Sequence, residues 1–183
     1  MFVGQNENKY LFTSSRLGFR TWTSNDIEEM CLLNSDIDVM KFFPSLPSKK
    51  QTLDFISRMQ DQFSEKGFCY FPVDDLKTNR FIGFIGLSTQ NFKSDFTPCV
   101  DIGWRLKKEY WGKGLATEGA KECLEFAKNN LKLQSIYAMA SKINLRSVMV
   151  MEKIGMSHIK DFDHPKLINT PELKKCVLYK IDL

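Results

Sequence analysis

Two places in the chain carry residues whose types and spacing could do chemistry. In "EYWGKGLATEGAKECLEFA", residues 109–127, the trio Gly112, Lys113 and Gly114 stands where an amphipathic helix begins. The first four amides of a helix have no partner inside it. No Ser, Thr, Asp or Asn occupies the expected cap, and the first acidic residue in the helix is Glu118. The helix end carries roughly half a positive charge, and Lys113 adds a whole one. Glycines let backbone amides approach a ligand closely. Such a tip suits a phosphate or pyrophosphate; a tight turn capped by water is the other reading. The loop is neither a P-loop nor a G-x-G-x-x-G fingerprint. The second place is Asp101, on the strand just upstream, a carboxylate that could take a proton or simply be solvated on a strand face.

Other chemistries find little material. The five cysteines are scattered and read as buried free thiols. The two histidines, His158 and His164, lack ligand spacing, so neither a metal site nor a Ser-His-Asp triad is expected. The net charge of +4 comes from dispersed lysines, which does not point to nucleic acid. No apolar run reaches membrane-spanning length. The opening residues "MFVGQNENKY" lack the layout of a signal peptide. A cytoplasmic protein is expected. With 183 residues, 43% hydrophobic and rich in phenylalanine, the chain fits one globular domain, residues 1–183.

The elements that must position the loop follow from periodicity. "RLGFRTW" reads as a first strand, and Ser24 as the cap of a helix through about Asn34. "FFPSLPS" is a proline-broken loop. Ser48 and Gln51 form a capping box before a helix running to Lys66. "FCYFPV" and "RFIGFIGLS" are strands. In "TPCVDIGWRL", Pro98, Val100, Ile102, Trp104 and Leu106 share one side, and Cys99, Asp101, Gly103 and Arg105 the other. Ala116, Ala120, Cys123, Leu124, Ala127 and Leu131 recur at helical spacing, and "SIYAMAS" follows as a strand. Strand, long helix and strand imply a parallel, right-handed crossover. "INLRSVMVMEKIG" is a short helix with Asn144 at its cap and Gly155 as its stop. Two closing strands, "MSHIKDF" and "KKCVLYKIDL", complete a mixed α/β sheet.

"WGKGLA" resembles the Gln/Arg-x-x-Gly-x-Gly/Ala motif of the GNAT superfamily of N-acetyltransferases, and "NLRSVMVMEKIGM" resembles that family's second cofactor motif. "DIGWRL" looks like the family's fourth strand and "RLGFRTW" like its opening strand. The resemblance covers about residues 12–182, the implied core of the domain, and in detail the chain is most similar to the branch that acetylates ribosomal-protein N-termini. The resemblance implies a GNAT acyl-CoA N-acyltransferase fold, a largely antiparallel sheet whose fourth and fifth strands are parallel and splayed. It implies acetyl-coenzyme A as co-substrate, with no metal. The amides of Trp111, Gly112, Lys113, Gly114, Leu115, Ala116 and Thr117 would receive the pyrophosphate. Backbone groups of Trp104, Arg105 and Leu106 would hold the pantetheine arm, and Asn144 and Ser147 would contact it.

The implied reaction is direct attack of an amine on the thioester. At pH 7, neutralising a lysine-like amine costs about 4.6 kcal/mol, and an α-amine about a quarter of that. Asp101 falls where relatives often carry an acidic residue, which makes it the candidate base. Many relatives place a tyrosine acid seven residues after the motif asparagine; here that position is Met151, which cannot donate. Ser147 is the candidate acid, with helix capping or cofactor contact as its other reading. Phe42 and Phe43 follow the first helix, where relatives often contact the acceptor. Glu109 and Tyr110 flank the loop and could face either ligand. The acceptor is a protein N-terminus or a small amine, and members of the family often form homodimers. A coenzyme A-binding sensor that has lost transfer is the alternative from another class; a nucleotide-binding domain of another fold is remote.

Overall fold

The computed structural model describes residues 9–183. The opening decapeptide, whose layout is unlike that of a signal peptide, lies almost wholly outside them. Eight strands form one sheet in the order β1-β2-β3-β4-β5-β6-β8-β7. They are β1 (Phe12–Thr13), β2 (Leu17–Phe19), β3 (Tyr70–Asp75), β4 (Arg80–Gln90), β5 (Cys99–Leu106), β6 (Ser135–Ser141), β7 (Ser157–Asp163) and β8 (Lys175–Asp182). Every neighbouring pair is antiparallel except β5 and β6. The helices are α1 (Asp26–Ser35), α2 (Lys49–Lys66), α3 (Leu115–Asn129), α4 (Leu145–Lys153) and a short α5 (Pro171–Lys174).

Local chemistry explains most of these bounds. Ser48 accepts from the Gln51 amide while the Gln51 side chain accepts from the Ser48 amide, so the expected capping box starts α2. Gly67, at φ 75°, ends it. α1 differs from expectation. Ser24 does not cap it; the helix starts at Asp26, after Asn25. The Asp26 carboxylate instead turns back to accept from the Thr23 amide at 2.8 Å and from Arg20. A charged acceptor tied to a cation outcompetes a neutral hydroxyl.

Arg20 bridges the Asp26 and Asp74 carboxylates, at 2.7 and 2.9 Å, and Lys9 adds a contact to Asp74. Burial works against the Arg20 charge, yet the bonds from Asp26 and Asp74 raise its pKa overall. The triad ties β2, α1 and β3 together at one end of the sheet.

α3 packs on one face so closely that a Cβ at Gly119 would lie 2.4 Å from Ile85 Cδ1. Leu115 and Gly119 therefore join the expected Ala120, Cys123, Leu124 and Ala127 on the helix's buried side, while Ala116 is only half-buried. α1 and α2 cover the opposite face, where Phe55 stacks 6.4 Å from Tyr70 and lies 5.4 Å from Phe84. Since side chains alternate along a strand, β4 sends Ile85 to α3 and Phe84 to α2.

Candidate active site

The parallel pair β5/β6 is joined at a single register point, Asp101 opposite Tyr137. Beyond it β5 stays with β4 and β6 stays with β8, so a wedge opens towards Leu106 on one side and Ser141 on the other. Lys107 donates to the Ile82 carbonyl at 2.8 Å. Paired and unpaired residues alternate along an antiparallel ladder. Arg105 therefore spends its backbone groups on Phe84, while Trp104 and Leu106 turn theirs towards the wedge. This revises the expectation for the trio: the Arg105 backbone faces the sheet. The Leu106 carbonyl is also taken, by Trp111 Nε1 at 2.8 Å, which leaves Trp104 with both groups turned to the gap.

The chain then makes one tight turn and enters α3. Gly112 and Gly114 both adopt positive φ, 73° and 77°, which L side chains rarely tolerate. Gly114 is the N-cap and gives no side-chain bond. Among the described residues, the amides of Gly112, Lys113, Gly114, Leu115, Ala116 and Thr117 meet no acceptor; the next, Glu118, donates to the Gly114 carbonyl at 3.0 Å. Trp111 departs from the expected series because its amide closes a turn onto Lys108 at 3.1 Å.

Two residues that the motif reading missed hold this loop. Glu118 accepts from Ser14 Oγ, Ser15 Oγ, the Arg16 amide and Arg16 Nε at 2.6–3.0 Å. Arg16 Nη1 in turn donates to the Lys113 carbonyl at 3.0 Å. Burial pushes the Glu118 carboxyl upward, but these donors overcome it and lower its pKa. No sequence signal links residues a hundred positions apart. Across the wedge, Arg146 of α4 lies over the Trp111 ring at 4.9 Å. Asn144 caps α4 by accepting from the Ser147 amide at 3.3 Å. Ser147 Oγ is half-buried and makes no hydrogen bond among the described residues. Met151, with 2% exposure, is part of the core and cannot serve as a proton donor.

Asp101 sits at the vertex of the wedge, on the face covered by α1 and α2. It is 6% exposed. Its Oδ1 accepts from Tyr70 Oη at 2.7 Å and Gln90 Nε2 at 3.0 Å. Burial pushes its carboxyl up to about 6, against those two donors. Burial raises the Tyr70 phenol too, helped by the neighbouring Asp101 charge, so Tyr70 is a donor here and not a base. A cavity of about 450 Å³ opens beside the pair, lined by Phe55, Arg58, Tyr70, Gln90, Phe92 and Lys166 among others. The remaining sequence candidates divide. Phe43 lies against the Arg105 guanidinium at 4.2 Å, on the Asp101 side. Lys113 Nζ lies over Tyr110 at 5.2 Å, on the loop side. Phe42 meets Lys41. Among the described residues no cluster of His, Cys, Asp and Glu could hold a metal ion.

The fold recurs in known proteins. Residues 16–157 match the family model described as an acetyltransferase (GNAT) domain. The chain is 30% identical over 145 residues to the uncharacterized N-acetyltransferase YnaD of Bacillus subtilis, covering 79% of this chain and 81% of that one. It is 30% identical over 129 residues to the uncharacterized protein YkkB of the same organism, 70% of this chain and 74% of that one. A GNAT-family acetyltransferase from Bacillus anthracis superposes with a TM-score of 0.75 at 27% identity, over 93% and 96% of the two chains. With that match spanning the loop, the wedge and the vertex, the chain belongs to the GNAT acetyltransferase family and is an N-acetyltransferase.

Proposed function

We propose that this protein transfers an acetyl group from acetyl-coenzyme A to a primary amine by direct attack. The observation that carries the reading is the run of six amides, without an acceptor among the described residues, at the mouth of a splayed parallel pair. Those amides and the positive end of α3 fit a diphosphate. The Trp104 backbone fits an extended arm lying in the wedge as an added strand. Acetyl-coenzyme A, when bound, supplies the thioester carbonyl. Two GNAT-fold neighbours are described with such ligands: a spermidine N-acetyltransferase from Vibrio cholerae with CoA and spermine, and the microcin C7 self-immunity acetyltransferase with acetyl-CoA and AMP.

Asp101 holds the proton taken from the amine. With a pKa near 6 it is ionised at neutral pH, yet far more basic than an ordinary carboxylate. Its Oδ2 has no side-chain partner among the described residues, which leaves it free for the amine or one water. An α-amine needs about a quarter of the deprotonation energy of a lysine-like amine, so this base suits a weakly basic acceptor. Ser147, with an uncommitted hydroxyl across the wedge, is the group to return a proton to the departing thiolate. The loop form "YWGKG" supports kinship with the branch that acetylates ribosomal-protein N-termini.

Titration calorimetry with acetyl-coenzyme A, followed by thiol release with a panel of amines, tests the proposal. Binding with release is expected. Binding with no release from any amine would favour a sensor, consistent with the buried Met151 where many relatives keep a tyrosine acid.

A further inference from the structure

Asp101 is buried, and among the described residues it does not line the cavity beside Tyr70. Tyr70 and Gln90 do line it, and both donate to Asp101 Oδ1. A molecule in the cavity therefore meets those two side chains before the carboxylate. The two are not equivalent. A side-chain amide nitrogen donates but does not pass a proton on, whereas a phenolic oxygen can accept on one side while it donates on the other. Tyr70 Oη gives its proton to Asp101 Oδ1 at 2.7 Å, and its contact from Gln90 Nε2 is long, at 3.4 Å. The oxygen keeps accepting capacity for an N–H in the cavity.

The sheet holds this hydroxyl in place. The register puts Tyr70, Gly86 and Gly103 in one row across β3, β4 and β5. The Tyr70 ring lies over Gly103, where a Cβ would come within 3.0 Å of Cε1 and 3.2 Å of Oη. A missing side chain two residues from Asp101 is thus what lets a tyrosine of β3 reach across to β5. Phe84 stacks 5.3 Å from the ring and Phe55 6.4 Å from it, which limits how far the phenol can turn away. The other titratable groups whose charge bears on the pair are Arg105 and Cys99 on β5 and Lys166 in the turn Pro165–Leu167. Lys166 and Arg58 are the charged residues lining the cavity, and no acidic residue joins them. Two cations disfavour an ammonium between them, so an amine stands there in its neutral form.

We propose that Tyr70 is a catalytic residue, the link that carries a proton from the acceptor amine in the cavity to Asp101. The inference rests on the proposed acetyl transfer and adds the route the proton takes. The amine lone pair attacks the thioester carbonyl carbon, and the N–C bond forms. One N–H bond breaks, its proton passing to Tyr70 Oη as the Oη proton passes to Asp101 Oδ1. The C–S bond then breaks, and its electron pair leaves with the sulfur. Tyr70 ends as it began, a neutral phenol, and Asp101 ends protonated. No free phenolate forms, which burial beside the Asp101 charge would make costly.

The test compares the full chain with Tyr70→Phe, using an amine that the unaltered protein acetylates and single-turnover rates from acetyl-coenzyme A across pH 5–9. Phe keeps the ring over Gly103, and coenzyme A affinity by calorimetry is the control for folding. The plateau rate at high pH should fall about 10²-fold, the low end of what positioned proton transfer contributes. A tyrosine that only donated a bond to the ionised carboxylate would behave otherwise. Its loss would raise the Asp101 pKa and move the acid limb to higher pH, with the plateau height unchanged; that result overturns the proposal. Tyr70→Phe combined with Asp101→Asn should be no slower than the slower single variant, because the two groups act as a unit. Losses that multiply overturn the link. Should Tyr70→Phe fail to bind coenzyme A, the unaltered protein decides. Its single-turnover rate should curve with the heavy-water fraction of the solvent, since two protons move together, and a straight line overturns the link. Transfer to no amine at all removes the acetyl-transfer reading and the link with it, whereas transfer with an unchanged plateau removes the link alone.

Discussion

At the scale of single residues, Asp101 carries a conflict between stability and chemistry. Its pKa is raised from 3.8 to about 6, chiefly by burial. The folded state therefore binds its proton more tightly than the unfolded chain does. This group's contribution to stability is full below about pH 4 and is lost as pH rises through about 6, a difference on the order of 2–3 kcal/mol. Asp101→Asn keeps an acceptor for Tyr70 and Gln90 but never ionises. It is expected to be more stable than the parent at pH 8, and chemical denaturation across pH 4–8 should show the gap closing at the acid end. The kinetic consequence has the opposite sign. In the parent, turnover should fall about tenfold per pH unit below 6, as the base protonates. The variant should lose that limb together with most of its rate, while calorimetry shows coenzyme A affinity retained. Wild-type rates in Asp101→Asn from pH 6 to 9 would remove Asp101 from the mechanism.

At the scale of elements, the tip of α3 is shaped by backbone rather than side chains. Gly114 is held at φ 77° with only Arg16 Nη2 within 4 Å of where a Cβ would stand. Space exists, but the conformation disfavours any L side chain. Gly114→Leu should cost about 1–2 kcal/mol of stability and abolish coenzyme A binding by covering the free amides; unchanged affinity would contradict the loop's role. Glu118 works at one remove, since it touches the β1–β2 turn and not the open amides. Glu118→Ala frees Arg16 from the first turn of α3. A several-fold weaker coenzyme A affinity with a stability loss of about 1 kcal/mol is expected. An affinity identical to the parent's would show that the turn does not position the loop.

At the scale of the whole molecule, one end of the sheet is clamped by the Arg20–Asp26–Asp74 triad, and its interior parts as the wedge between β5 and β6. Removing the cation leaves two largely buried carboxylates facing each other. Arg20→Met should therefore destabilise by about 3–5 kcal/mol, readable as a lower denaturation midpoint, and spare the loop's affinity for coenzyme A in whatever fraction stays folded.

What the sequence determined by itself was whatever depends on neighbours along the chain. The alternation of Cys99 to Leu106, the Ser48–Gln51 box, the Asn144 cap and the bare glycine tip of α3 all lie within one element. Each is a short-range preference that needs no distant partner to be read. The crossover from β5 through α3 to β6 was legible for the same reason, since its strand-helix-strand period admits only parallel pairing. Ser24 was misplaced as a cap because its competitor, Asp26, is drawn back by Arg20 from another strand. Tertiary structure alone decided what the site residues meet. It buried Asp101 and thereby raised its pKa, against the bonds donated by Tyr70 and Gln90. It turned the Arg105 backbone to β4 and its side chain against the Phe43 and Phe84 rings, without a counter-ion among the described residues, and it fastened Glu118 to a turn a hundred residues away. Those properties are set by burial and by charges brought together through space. Spacing along a chain does not encode them until the sheet is assembled.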